Sequence, residues 1–342
     1  MPSSFTVTGL FKAFEDLKVL ILGDVMIDAY LFGKVDRISP EAPVPIIAVN
    51  KRKNLLGGAA NVALNIRALG ATPLMCSVIG NDLQGEVFLK LLDELGLRQD
   101  AICRSEYRIT TTKVRIVGNK MQMLRIDEET ETDLNTIETK QYIDKIEKII
   151  TTEKIDVIIF EDYNKGVLTK EVISYVIALA NKHNIPTSVD PKKKNFDQYC
   201  NVTFFKPNLK ELREGLKLEV NPEDKEALAK ALELLQQQQK VKIAMTTLSE
   251  HGLFIRAINH DDTSDCHHVS AHLRSITDVS GAGDTVISVA SLCLALNQDS
   301  KLIAALSNLA GGLVCEHIGV APIDRELLIM ESKLLLKDHF TH

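Results

Sequence analysis

The 342-residue sequence contains no C-x-x-C pair. Its six cysteines (Cys76, Cys103, Cys200, Cys266, Cys293 and Cys315) are scattered, several in apolar runs where a free thiol packs as a small hydrophobe, so a reducing compartment is expected rather than a disulfide framework. No apolar stretch reaches the roughly 18 uninterrupted residues of a membrane span, and Met1 to Lys18 lacks the basic start and long apolar core of a secretory signal. A cytoplasmic protein is the expectation. No G-x-G-x-x-G follows the first strand and no G-x-x-x-x-G-K-[ST] occurs anywhere, which removes the ordinary dinucleotide and P-loop readings. No Ser-His-Asp or Cys-His arrangement stands out, and the adjacent His267 and His268 point to opposite faces of a predicted strand, a poor metal pair. An excess of positive charge is missing too. The net charge of −6 argues against a nucleic-acid or anionic-membrane partner, while leaving room for a local basic pocket that takes a phosphorylated small molecule.

What is present is an ordinary globular composition, 45% hydrophobic and 25% charged, in a chain long enough for one large α/β domain. Val19 to Gly23 is a continuous apolar run ending in glycine, the pattern of a parallel strand buried on both faces. Asp24 and Asp28 follow at its carboxyl end, where open α/β sheets bind ligands, and are candidates for holding hydroxyl groups, the plain alternative being that Asp24 caps a turn and Asp28 faces solvent. Strands at Leu74–Ile79, Val157–Phe160 and Val241–Thr246 alternate with helices at Leu83–Leu95, Thr136–Thr152 and Thr169–Lys182. This βα alternation predicts an α/β fold with a doubly wound, mostly parallel central sheet and helices on both faces, as a single domain over 1–342. Two strand-rich insertions, about 30–50 and 104–127, predict a small β-sheet lid. The first carries Pro40, Pro43 and Pro45 and reads as edge strands. The second reads as a hairpin turning at Gly118-Asn119-Lys120. Lys113, Arg115 and Arg125 on this hairpin either face a substrate beneath the lid or serve as solvated edge-strand charges.

Asp278-Val279-Ser280-Gly281-Ala282-Gly283-Asp284-Thr285 opens the apolar run Val286 to Leu296. Small residues at 281–283 let an anion approach a helix N-terminus, and Asp284 in the first turn is placed to act as a general base. The plain alternative is a capped turn with an acidic residue at a helix start. Gly57-Gly58-Ala59-Ala60-Asn61 likewise opens a helix, where Asn61 suits a sugar hydroxyl and the glycines suit either ligand approach or tight packing. Three polar clusters (Glu161 to Gly166, Asp190-Pro191-Lys192 and Lys206-Pro207-Asn208) sit at strand ends. Asn208 and Glu211, three apart on a first turn, either organise a hydrated Mg²⁺ near phosphates or form a capping box. Thr247 to Gly252 is a turn, and the small residues around Asn308, Gly311 and Gly312 leave room for a flat base.

Gly57 to Asn61, Asn208 to Glu211 and Asp278 to Thr285, in that order, resemble the signatures of the ribokinase-like (phosphofructokinase B-type) carbohydrate kinases. Gly23 to Asp28, Arg37 to Pro45, Asp162 to Gly166 and Asp190 to Lys192 resemble the heptose 7-phosphate kinase branch of that family, the kinase part of ADP-heptose synthesis. The resemblance spans about Glu15 to Pro322. It implies an ATP-dependent sugar-phosphate kinase, with Asp284 as base and Gly281, Ala282 and Gly283 as an anion hole. Asp28, Gly57, Gly58 and Asn61 would hold the sugar, Asn208 and Glu211 would position Mg²⁺ through water, and Thr247, Ser249, Gly252 and Asn308 would surround ATP. Charge favours Lys113, Arg115 and Lys192 for the sugar phosphate, with Glu161, Asp162 and Lys165 as second candidates. A monovalent cation is compatible with the family, and a homodimer across the lids is expected. Many members carry a nucleotidyltransferase domain after the kinase; its activity is expected to be absent here, since the sequence ends at His342. The competing readings are a related kinase for another sugar, sugar phosphate or nucleoside, and a non-catalytic sensor on the same fold.

Overall fold

The computed structural model describes residues 5–340 apart from positions 120, 260, 262, 273 and 318. In chain order its strands are β1 (Lys18–Gly23), β2 (Val25–Ile38), β3 (Pro45–Gly58), β4 (Thr72–Gly80), β5 (Ile102–Ser105), β6 (Thr112–Gly118), β7 (Met121–Glu128), β8 (Val157–Glu161), β9 (Thr187–Asp190), β10 (Phe204–Phe205), β11 (Ile243–Thr247), β12 (Leu253–Ile258) and β13 (Ser264–Val269). The helices are α1 (Val7–Phe14), α2 (Ala59–Ala68), α3 (Leu83–Glu94), α4 (Thr136–Thr152), α5 (Lys170–Lys182), α6 (Leu209–Leu216), α7 (Lys225–Gln239), α8 (Ala282–Ala295), α9 (Ser300–Val314) and α10 (Arg325–Leu335).

The large sheet has nine strands in the order β13-β12-β11-β10-β9-β8-β1-β4-β5. It is parallel except at one edge, where β12 and β13 run antiparallel. Alternation along β1 explains the two layers. Val19 and Ile21 join the core formed with α1, α2, α8 and α9, whereas Leu20 and Leu22 join the one formed with α4, α5 and α7. Buried on both faces, β1 has no polar side to offer, hence its uninterrupted apolar run. The chain extends outward from β1 through β4 and β5, then returns to add β8 to β11 on the other side. The order therefore reverses between β1 and β8, which opens a crevice at their carboxyl ends. Among the described residues no helix is long and apolar enough to cross a membrane.

The second sheet has four strands in the order β3-β2-β6-β7. The ribbon from Tyr30 onward differs from the edge-strand expectation, because β2 pairs with both β3 and β6 and lies inside this sheet. Pro40 and Pro43 fall in the turn after β2, and Pro45 is the first residue of β3, so no proline interrupts the ladder of β2. The hairpin of β6 and β7 forms as read, with Asn119 in the left-handed region at φ 51°; Lys120 of that turn lies outside the described residues. Residues 102–105 belong instead to the large sheet, pairing with β4, so the second lid segment starts after them.

Candidate active site

The loop before α8 lies at the crevice. Asp278 anchors it, accepting the Ser280 amide and the Gly319 amide, each at 2.9 Å. Although burial alone would raise its carboxyl, these amides hold it below the ordinary aspartate range. Gly281 is the N-cap of α8 at φ 80°. An added Cβ there would meet Asn61 Nδ2 at 2.8 Å, so glycine allows the loop to close on α2. A helix start leaves its first-turn amides without helical acceptors, and this one follows the small residues Gly281, Ala282 and Gly283. Because α8 is mostly apolar it is drawn into the core, and Asp284 goes with it, 5% exposed. Asn61 Nδ2 donates to Asp284 Oδ2 at 2.6 Å, and the Tyr163 hydroxyl donates to Oδ1 at 2.9 Å. Burial pushes the Asp284 carboxyl above the ordinary range, and these two donors oppose it.

Asn61 is itself fully buried, on the first turn of α2. Gly57 and Gly58 serve close backbone packing here. A Cβ on Gly57 would stand 2.2 Å from Asp28 Oδ2, and one on Gly58 2.4 Å from the Asp24 carbonyl, with Gly58 at φ 61°. Asp28, 3% exposed, is ion-paired with Arg115 on β6, and the Arg115 guanidinium lies 5.3 Å from the Tyr30 ring centre. Asp28 and Arg115 lie on the adjacent strands β2 and β6, so this buried ion pair is made within the small sheet.

Beneath the loop, Gly23, Glu161 and Asp190 end three adjacent strands in register. Asp190 Oδ2 receives Lys206 Nζ at 2.7 Å, and a Cβ on Gly283 would lie 3.5 Å from that same oxygen. Lys192 Nζ donates to Glu211 Oε1 at 2.5 Å and lies 5.3 Å from the centre of the Tyr163 ring. Glu161 is fully buried, and among the described residues neither carboxylate oxygen has a hydrogen-bond partner. Burial, then Asp190 and Asp284, push its pKa well above the carboxylate range. A buried carboxyl held protonated by its neighbours offers a phosphate no positive charge, which argues against Glu161 as a sugar-phosphate ligand. Four carboxyl groups (Glu161, Asp190, Glu211 and Asp284) and two ammonium groups meet here, and burial raises Glu161, Glu211 and Asp284 while Lys206 and Lys192 hold Asp190 low.

The remaining basic candidates divide into two places. Lys113 bonds to Asp127 at 3.0 Å and Glu129 at 2.9 Å, and Lys165 bonds to Glu129 at 2.8 Å and Glu131 at 2.9 Å. Glu129 therefore brings Lys113 and Lys165 together, while Lys192 stays with the Asp190 cluster. Arg125 is not in this group inwardly; it pairs with Asp127 on the outer lid strand and is half exposed. Two acidic candidates hold backbone and buried side chains, and for Asp24 this is the turn-capping alternative. Asp24 accepts the amides of Tyr163, Lys165 and Val167 at 2.9, 3.0 and 3.1 Å, shaping the loop after β8. Asp162 is fully buried, its carboxylate taken up by the Asn164 amide, Asn195 Nδ2 and the Tyr199 hydroxyl at 2.8, 2.9 and 2.7 Å, and burial lifts it to about 6.

Asn208 and Glu211 form the capping box of α6. Asn208 Oδ1 accepts the Glu211 amide and Glu211 Oε2 accepts the Asn208 amide, both at 2.8 Å. With Lys192 on Oε1 as well, the pair offers only its remaining lone pairs, a set that fits a hydrated Mg²⁺ held through water. Thr247, Ser249, Gly252, Asn308, Ala282 and Gly283 line one cleft of about 310 Å³, so the four residues expected around ATP meet two residues of the loop. Gly312 lies under Arg274, and Gly311 packs α9 on α8, where a Cβ would reach Val286 Cγ2 at 2.8 Å. Gly311 and Gly312 also line the cleft with Asn308, so the glycine at 311 both packs α9 on α8 and borders the space expected for a flat base. A larger hollow of about 690 Å³ along β13 contains none of the catalytic candidates. Tyr163, Asp190 and Lys206 each lie in one of the three polar clusters at strand ends, but nothing local assigns any of them a role of its own.

The description "pfkB family carbohydrate kinase" matches residues 16–326. Bifunctional protein HldE of Helicobacter pylori (strain J99) is 37% identical over 304 residues, covering 89% of this chain and 64% of that protein. HldE of Sulfurimonas denitrificans is 36% identical over 314 residues, 92% of this chain and 64% of that protein. The chain thus spans about 64% of the length of these curated relatives. Among solved structures, phosphofructokinase-2 from Escherichia coli in complex with potassium superposes with a TM-score of 0.76 at 18% identity, covering 94% of this chain and 99% of that one. Ribokinase of Arabidopsis thaliana complexed with ribose and ATP does so with a TM-score of 0.66 at 15% identity, covering 92% and 98%. The fold is accordingly that of the ribokinase-like sugar kinases. The chain belongs to the pfkB family of carbohydrate kinases and is a phosphotransferase acting on a sugar.

Proposed function

We propose that this kinase transfers the γ-phosphate of ATP to O1 of D-glycero-β-D-manno-heptose 7-phosphate, giving the 1,7-bisphosphate as an ADP-heptose precursor for lipopolysaccharide. The observation that carries the phosphoryl-transfer part is the buried Asp284, held by Asn61 and Tyr163 beside the glycine loop. The likeness to the two HldE proteins supports the heptose part. In this reading Asp284 takes the O1 proton as the O1–P bond forms and the bond to the ADP oxygen breaks. The loop amides of Gly281 to Gly283 receive the phosphoryl oxygens, and Asp28, Gly58 and Asn61 orient the sugar. ATP occupies the cleft of Thr247, Ser249, Gly252 and Asn308. Mg²⁺ neutralises phosphate charge when bound, and Asn208 and Glu211 would hold it through water. Lys113, Arg115, Lys165 and Lys192 supply positive charge for the 7-phosphate.

A wider reading, a kinase for another sugar, sugar phosphate or nucleoside, is favoured by one observation. Each of those four cations already has a carboxylate partner, so an incoming phosphate must replace Glu129, Asp28 or Glu211. A panel of heptose, hexose and pentose phosphates scored by ADP release decides between them, and activity confined to a non-heptose acceptor sinks the narrow reading. The exposed apolar residues Met121, Met123, Leu124 and Ile126 on the lid edge strand β7 support a homodimer made across the lids. Replacing Leu124 with Glu should then yield a monomer in light scattering, and a wild-type monomer removes the proposal.

A further inference from the structure

The proposed base has two hydrogen-bond donors, and only one of them belongs to the sugar-holding residues. Tyr163 donates to Asp284 Oδ1 and Asn61 to Oδ2, so each oxygen keeps a second lone-pair direction free for a reacting hydroxyl. Tyr163 is firmly placed. Its amide is held by Asp24 Oδ2 at 2.9 Å, and the Lys192 ammonium lies 5.3 Å from its ring centre. The phenol reaches Asp284 across 121 residues of sequence, from the loop after β8 to the first turn of α8. We propose that Tyr163 is a positioning residue for the phosphoryl-transfer base: its hydroxyl fixes the plane of the Asp284 carboxylate and favours the ionised form that can accept a proton. This inference rests on Asp284 acting as the base.

The charges around Asp284 agree. Burial, and then Asp190 from β9, oppose its ionisation, whereas Asn61 on α2, Tyr163 and Lys206 after β10 favour it. Tyr163 itself stays protonated, because burial and then Asp284, Glu161 and Asp190 push its pKa far up. It is therefore a donor throughout the working range.

The test is the pH profile of kcat/KM for Tyr163→Phe, measured by ADP release with ATP and D-glycero-β-D-manno-heptose 7-phosphate. Loss of a hydrogen bond to a charged group should move the acid limb up by about one to two pH units. Turnover at pH 7 should fall about 10-fold and recover toward pH 9, with the KM for ATP unchanged. A loss equal at every pH, or an unshifted acid limb, overturns the inference. If Tyr163→Phe does not fold, 3,5-difluorotyrosine placed at 163 keeps the shape and strengthens the donor. The acid limb should then move down, and a limb that stays in place overturns the inference. Asp284→Asn separates the two levels. Normal turnover in that variant removes the base assignment itself, whereas an inactive Asp284→Asn beside a Tyr163→Phe with an unshifted profile removes only the role of Tyr163.

Discussion

Asp284→Asn changes one atom and deletes the proposed base. In the wild type the carboxylate receives Asn61 Nδ2 on Oδ2 and the Tyr163 hydroxyl on Oδ1. An amide satisfies both neighbours: its oxygen accepts from Asn61, and its nitrogen donates to the Tyr163 hydroxyl, which rotates to accept. The fold should therefore lose less than about 1 kcal/mol. At neutral pH it can even gain, because burial raises the folded pKa of Asp284 above its unfolded value. Across that interval the unfolded chain binds fewer protons than the folded one, so wild-type stability falls as pH rises through it; the amide does not titrate and is spared. Turnover behaves differently. A positioned base contributes about 10² to 10⁴ in rate, roughly 3–5 kcal/mol of barrier, and that contribution is lost at every pH. Binding of ATP should change by no more than about threefold, since the cleft residues are untouched. ADP release with the best acceptor of the panel, urea unfolding from pH 4 to 8 and calorimetric ATP titration measure the three quantities. Near-normal turnover in a folded variant refutes the reasoning.

Three other substitutions follow from the geometry. Gly281→Ala places a Cβ at φ 80° and 2.8 Å from Asn61 Nδ2, so stability should drop by about 1–2 kcal/mol while kcat falls by about 10-fold or more through displaced Asn61; thermal unfolding and ADP release together check it, and an unaffected kcat counts against the loop's role. Lys206→Met takes from buried Asp190 its partner at 2.7 Å and leaves it only Lys192 at 3.7 Å, which should cost about 2–3 kcal/mol in urea unfolding. A cost below about 1 kcal/mol shows that the pair is not desolvated as drawn. Lys113→Ala should raise KM for a phosphorylated sugar more than for its unphosphorylated analogue, and an equal rise for both removes Lys113 from the phosphate site.

Much of the architecture was legible before any coordinates, because local chemistry imposes it. The apolar run at Val19 to Gly23 has to be buried on both faces, the period of Thr136 to Thr152 makes an amphipathic helix, and glycine before an acidic residue at 281–284 marks a helix start that tolerates an anion. Short-range spacing also made the Asn208 and Glu211 pair conspicuous, though spacing by itself left capping and cation binding open, and the capping box is what the side chains form. Asp24 and Asp162 show the limit of that kind of reading. An aspartate after a strand looks the same in sequence whether it meets substrate or accepts backbone amides, and both of these accept amides.

What sequence alone determined, then, is the layered α/β fold with a separate small sheet, the kinase signatures and the position of the candidate base, all properties of residues within a few positions of one another. Tertiary structure decided who faces whom. Asn61 and Tyr163 converge on Asp284 from 223 and 121 residues away, Glu129 joins Lys113 to Lys165, and Lys206 neutralises Asp190 under the glycine loop. These pairings arise because the sheet reverses its strand order between β1 and β8, which gathers the ends of distant strands into one buried crevice. Within it low dielectric makes each partner matter, and no local pattern encodes which partner that will be.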